Sequence, residues 1–233
     1  MGNILADCIL IIKRNVIIVT PAIIVSLITV IISIILIGNN VLFNMPNDTA
    51  AEVALIKEVI GRLFVVTVIN FYLQVFAHAV TVVIAFGAIN GARITVQDAF
   101  SYTVGRGWRL LIAATLFGTM IFFGFFLFVI PAVVFTFLFM FTFIIIIKED
   151  KGPIESLRKS YAIARMNLSG AFHTFLMIAM SAILFTLLTL GITENPYVNI
   201  VVSSLLSGLL MSFGTLLLMR HYLIINKPEV KTN

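Results

Sequence analysis

The stretch LLIAATLFGTMIFFGFFLFVIPAVVFTFLFMFTFIIII, Leu110–Ile147, runs for 38 residues without a charge. As one helix it would extend about 57 Å at about 1.5 Å per residue, nearly twice the roughly 30 Å of bilayer hydrocarbon. Pro131 offers a break, because it lacks an amide N–H and crowds the preceding turn. Two short crossings are therefore expected, Leu110–Val129 and Ala132–Ile147.

Four more uncharged apolar stretches flank it: Val16–Ile37, Leu63–Ile89, Leu168–Leu190 and Ile200–Met219. Each is long enough to cross the hydrocarbon as a helix. The fold class expected is thus an all-α polytopic membrane protein with six transmembrane helices. Composition agrees: 61% of the 233 residues are hydrophobic and 11% charged, against about 45–50% and about 25% in soluble domains. The spans nearly consume residues 1–233, so a single membrane domain is expected, with no room for a separate globular enzyme. The single cysteine, Cys8, excludes an intramolecular disulfide. The first stretch, 22 residues long, exceeds the about 7–15 residues of a signal-peptide core and reads as a retained helix.

Loop charge separates six spans from five. With six and the N-terminus inside, 13 of the 15 Lys and Arg residues fall on the inner side, and only Lys57 and Arg62 fall outside. Treating Leu110–Ile147 as one span leaves 5 inside and 10 outside. Cytoplasmic loops carry the Lys/Arg excess. Six spans with both termini cytoplasmic follow as expectations.

Three inner segments read as amphipathic elbow helices in the membrane interface, preceding spans 1, 3 and 5. The clearest is Pro153–Asn167. Pro153 suits a first helical turn and Glu155 its positive end. Ile154, Leu157, Tyr161 and Ala164 share an apolar face, with Arg158, Lys159 and Arg165 as polar neighbours. The second elbow is Thr95–Arg109. Ser101-Tyr102…Arg106 and Ser160-Tyr161…Arg165 match at an offset of 59. A looser third example is Ile4–Arg14. These would divide the chain into repeat units 1–90, 91–149 and 150–226. The opposing reading is that any inner loop entering a membrane tends to be basic and aromatic.

The run Lys148-Glu149-Asp150-Lys151-Gly152-Pro153-Ile154-Glu155-Ser156-Leu157-Arg158-Lys159-Ser160-Tyr161, with Arg165-Met166-Asn167 after it, resembles an acidic-x-Gly-x-x-Glu-Ala-Leu-Arg-x-Ser elbow. That elbow belongs to a group of prokaryotic six-span proteins. The group includes the membrane domain attached to some glycerophosphoryl diester phosphodiesterases and the YciC-like inner-membrane proteins. Ile130-Pro131-Ala132 resembles the group's Pro-Gly or Pro-Ala at the start of span four, and Thr95–Ala99 its earlier elbow. Ser156 stands where Ala is commoner. The resemblance implies a six-span fold and an inner-membrane address. No phosphodiesterase barrel accompanies this sequence, so the resemblance implies no enzymatic activity.

None of the six expected spans contains Asp, Glu, Lys or Arg. Charged groups within a bilayer are costly and mark proton or ion pathways, so ion coupling is not expected. Gln74 and His78 lie four apart on one face of span two and either line a polar cavity or hydrogen-bond to a neighbouring helix. His173 and His221 fall near span ends. Ser204, Gly208 and Ser212, at intervals of four on span six, suit close helix packing, with a dimer face or polar groove as the sharper alternative. The three histidines and Cys8 have no metal-ligand spacing, and neither metal nor cofactor is expected. The outer segments carry Asp48, Glu52 and Glu58, read as a solvated face, and Gly191–Tyr197 is read as a turn.

The strongest candidate site is a basic inner rim of Arg106, Arg109, Arg158, Lys159 and Arg165, beside Trp108 and Tyr161. Guanidinium groups match phosphate oxygens, so lipid headgroups, anionic ones above all, are the expected ligands. The alternative is ordinary topological anchoring. The expected function is non-enzymatic: binding or organising lipid at the cytoplasmic leaflet, or assembling with a second copy or another membrane protein. The alternative is a transporter or permease for a neutral or amphiphilic, lipid-like solute, with its cavity near Gln74, His78 and the span-six serines. Nothing calls for nucleic acid.

Overall fold

The computed structural model describes residues 2–37, 49–189 and 196–226. Asp48, Lys227, Lys231 and the 191–195 part of the expected outer turn lie outside the described residues. In chain order the helices are α1 (Gly2–Arg14), α2 (Thr20–Ile37), α3 (Thr49–Ile89), α4 (Val96–Val104), α5 (Gly107–Leu127), α6 (Val129–Phe139), α7 (Thr142–Glu149), α8 (Pro153–Met166), α9 (Leu168–Thr189) and α10 (Pro196–Ile225). A short 3-10 turn, Val16–Ile18, joins α1 to α2. Six segments are long and apolar enough to cross a membrane: Val16–Leu36, Lys57–Ile89, Gly107–Leu127, Val129–Glu149, Leu168–Leu187 and Val201–Ile225. The elbows α1, α4 and α8 precede the first, third and fifth.

Span two belongs to a much longer helix than its apolar stretch suggested. At 41 residues α3 is about 60 Å long. Its N-terminal turns carry Lys57, Glu58 and Arg62 beyond the apolar part, and Arg62 Nη1 donates to Leu36 O at the end of α2, 3.0 Å away. Helix α3 is also the polar hub of the bundle. Asn70 Oδ1 lies 2.9 Å from Thr29 Oγ1 on α2. Tyr72 Oη lies 2.9 Å from Thr115 Oγ1 on α5, and His78 Nδ1 lies 2.7 Å from Thr215 Oγ1 on α10. Apolar burial drives little association inside lipid, so such bonds, worth about 0.6 kcal/mol each on average, help set the pairing.

The break in Leu110–Ile147 is real but misplaced in the sequence reading. It falls at Phe128, whose backbone is extended (φ 168, ψ 158), and Pro131 sits in the first turn of α6. A proline ring clashes with the carbonyl four residues back, which here is Leu127, where α5 ends. The proline thus starts one helix and stops the other. The hairpin closes tightly because Gly124 lacks a side chain: a Cβ there would come within 2.7 Å of Ala132 N and 2.8 Å of its Cα. The tip faces outward, with Phe126 83% and Phe128 79% exposed, as suits side chains that meet acyl chains.

Span four is itself interrupted at Met140–Phe141, between α6 and α7. The backbone groups freed there need partners, since an unsatisfied group in hydrocarbon costs several kcal/mol. The fully buried Ser160 of α8 provides them. Its Oγ accepts from Phe141 N–H at 3.1 Å and donates to Leu138 O at 3.0 Å. An elbow serine therefore splices a transmembrane helix.

The largest buried cluster sits toward the end of the bundle that gathers the elbows. It joins Val82, Val83 and Ile84 of α3, Ala113 and Ala114 of α5, Phe141, Ile144–Ile147 of α7, and Met219 and Tyr222 of α10. A second cluster packs Cys8 of α1 against Ala85, Leu216 and Leu217. Burial raises the Cys8 thiol from 9.0 to about 11; the Arg220 cation opposes this and Asp7 adds to it. A raised thiol pKa contributes stability that is intact below about pH 9 and is lost as pH climbs toward 11. Maleimide labelling of the folded protein at pH 7.5 is expected to be at least tenfold slower than in dodecyl sulfate, because thiolate and access are both suppressed. Equal rates would place Cys8 outside the bundle.

Candidate functional site

The elbows converge because acidic side chains clasp them to span ends. Two adjacent acids at the end of α7 reach in different directions. Asp150, in the left-handed region with φ 55, turns toward the α4–α5 junction. Its Oδ1 lies 2.9 Å from Arg106 Nε and 2.8 Å from Arg109 Nη1, and Arg109 Nη1 also donates to Asp150 O at 2.7 Å. The Arg106 pair is a close ionic contact without hydrogen-bond alignment of Nε. Its guanidinium also lies 3.8 Å from the Tyr102 ring centroid. Glu149 turns the other way. Both carboxylate oxygens accept from Lys159 Nζ at 2.7 Å, and Oε1 also accepts from the Tyr222 hydroxyl and from Asn226 Nδ2. On the far flank Asp7 of α1 pairs with Arg220 of α10, 213 residues away. Lys151 and Glu155 pair one turn apart, a contact that raises the Lys151 ammonium pKa.

Of the five rim cations expected from the sequence, Arg106, Arg109 and Lys159 are therefore internally paired. Arg158 and Arg165 are exposed and, among the described residues, have no ion pair. The expected apolar face of this elbow divides. Leu157 and Ala164 are buried with Ser156, Ser160 and Ile163, whereas Ile154 and Tyr161 are exposed. Ile154, Arg158, Tyr161 and Arg165, at spacings of four, three and four, form one outward stripe. The two elbows also use matching residues differently. Ser160 points inward and Tyr161 outward, but Ser101 is exposed while the Tyr102 hydroxyl donates to Ile147 O at 3.2 Å.

The intramembrane candidates occupy helix contacts. His78 meets Thr215 and lies edge-on to Phe143; Gln74 is half-buried one turn earlier. Gly208 abuts the backbone of α2, where a Cβ would stand 3.1 Å from Ala22 C and O and from Ile23 Cα. The buried Ser212 hydroxyl donates to Gly208 O, and Ser204 is half-buried one turn before Gly208. His173 Nδ1 lies 2.7 Å from Ser169 O, and His221 stacks on Phe141.

A cleft of about 390 Å³ opens further along α3 than Gln74 and His78, at Val82, Val83 and Phe86. Its other walls come from Arg93 and Ile94 of the following loop, Asp98 and Tyr102 of α4, Ile147 and Lys148 of α7, and Met219 of α10.

No family model matches the chain, and neither the curated proteins nor the solved structures offer a match. The acids that organise this end, Asp7, Glu149 and Asp150, were silent in the charge count because acids contribute little to orientation. The signal that could have found them is their position: Glu149-Asp150 stands between Lys148 and Lys151 at the foot of a span.

Proposed function

We propose that this chain is a non-enzymatic multi-pass protein of the prokaryotic cytoplasmic membrane. Both termini and all three elbows face the cytoplasm, and α8 binds anionic lipid of the inner leaflet. The observation that carries this reading is the outward stripe of α8: two cations two turns apart without an ion pair among the described residues, alternating with Ile154 and Tyr161. Its opposite face is anchored by Ser160 to span four, so the cations are held at fixed height rather than on a loose loop. Arginine stems and tyrosine rings suit the boundary between acyl chain and headgroup.

Near an anionic leaflet each cation contributes about 1 kcal/mol, so two account for at least about tenfold in affinity. The double substitution Arg158→Gln, Arg165→Gln is expected to lower anionic phospholipid retained through purification in uncharged detergent by about tenfold. Zwitterionic lipid should be unchanged. Arg109→Gln with Asp150→Asn, which removes a cation together with its paired carboxylate, should change lipid retention less than twofold. Equal retention by the α8 double variant and the parent removes the proposal.

A further inference from the structure

We infer that the cleft between α3, α4, α7 and α10 is a binding site for a single-chain anionic amphiphile, distinct from the α8 surface. Its inner walls are apolar: Val82, Val83, Ile147 and Met219 belong to the main buried cluster, and Ile94 packs against it. Its polar groups are Arg93, Asp98, Tyr102 and Lys148. Two of these are already engaged. The Asp98 carboxylate accepts from Thr95 Oγ1 at 2.6 Å in the cap of α4, and the Tyr102 hydroxyl donates to Ile147 O. The neighbouring Glu149 faces Lys159, Tyr222 and Asn226.

Hydrogen bonding does not remove the Asp98 charge, so Arg93 and Lys148 leave the cleft with a net charge of +1 toward a ligand. Lys148 rests over the Tyr222 ring, 4.8 Å from its centroid, and 5.8 Å from that of Phe86, with no carboxylate in ion-pair range among the described residues. Arg93 is exposed and, among the described residues, unpaired. An apolar slot with cations at its mouth selects an apolar chain ending in an anion, and a volume of about 390 Å³ falls in the range of small-ligand sites. At roughly 30 Å³ per methylene-sized group, close to a water's share of liquid volume, it holds about 13 such groups, most of one long acyl chain and not two. The shared chemistry is a long-chain anion, whose head is either the carboxylate of a fatty acid or the phosphate of a lysophospholipid. The slot has its present shape because Gly87 lets Ile94 fold onto α3: a Cβ there would collide with the Ile94 side chain at 2.5 Å.

The test is native mass spectrometry of the full chain in an uncharged maltoside, with oleate, lysophosphatidylglycerol and uncharged monoolein as probes. One oleate or one lysophosphatidylglycerol per chain is expected, in mutual competition, and the tighter of the two identifies the head. Arg93→Gln, on an exposed loop, is expected to weaken both anions about tenfold and to leave monoolein unchanged. Val83→Phe, which fills the slot, is expected to abolish all three. The Arg158→Gln, Arg165→Gln chain should bind the probes as the parent does. Anion binding unaffected by Arg93→Gln overturns the inference, even if Val83→Phe fails to fold. So does monoolein binding as tight as that of the anions, or probe loss on substituting the α8 arginines.

Discussion

Replacing Glu149 by Ala is expected to lower the unfolding free energy by about 2–3 kcal/mol. Removing one member of a buried pair costs about 3–5 kcal/mol, because the remaining charge stays desolvated. Here the side chains of Glu149 and Lys159 are 19% and 32% exposed, so water recovers part of that. The loss is nonetheless larger than for a surface pair, about 0–1 kcal/mol, because three partners are orphaned together: Lys159 on α8, Tyr222 on α10 and Asn226 just beyond it. For a chain of this size the shift is about 5–10 °C in melting midpoint, read as loss of the monodisperse peak after heating in detergent. Glu149→Gln, which keeps an acceptor for Tyr222 but no charge for Lys159, should fall between. A shift under about 1 °C for the alanine variant would mean that the three partners find water or lipid as readily as carboxylate.

Gly124→Ala is expected to open the α5–α6 hairpin and destabilise the fold by about 2 kcal/mol or more. Propensity alone predicts the opposite sign, since Ala is better than Gly in a helix by about 0.8–1.0 kcal/mol. The contact decides. The new Cβ would stand 2.7 Å from Ala132 N and 2.8 Å from Ala132 Cα, and backbone cannot rotate aside as a long side chain can. Overpacking of this kind costs about 1–3 kcal/mol or more. Gly61→Ala is the matched control: it lies on α3 with nothing within 4 Å of its Cβ position, and should be neutral or stabilising. If the Gly124 variant melts no lower than the Gly61 variant, the hairpin is looser than this contact requires.

The elbow α8 marks where legibility in the sequence stopped. Pro153 and Glu155 announce its first turn, and both stand there. Its apolar spacing could not say which side docks, because Leu157 and Ser160 compete with Ile154 and Tyr161 for the same helix. Span four's break at Met140–Phe141 creates a need for one hydroxyl, and that need turns Ser160 inward. The misplaced break near Pro131 has a related cause. A proline restricts the residues before it as well as its own position, and the helix yielded four residues upstream. The rim cations were visible one by one, but which of them are spent internally depends on acids 41 and 10 residues away in sequence.

Five uncharged runs, one of them long enough for two crossings, determined, without reference to any contact, that this chain is helical and membrane-spanning, since a backbone in hydrocarbon must satisfy its own hydrogen bonds. That determination is local: it needs only composition and length. Tertiary structure alone decided that Arg106, Arg109 and Lys159 are paired with acids within the fold while Arg158 and Arg165 are left to the surroundings. It also decided that a cleft opens beside Val83. The physical reason is reach. Charge and hydrogen-bond partners act over a few ångströms, and only the packed helices bring residues so far apart in the chain within that range.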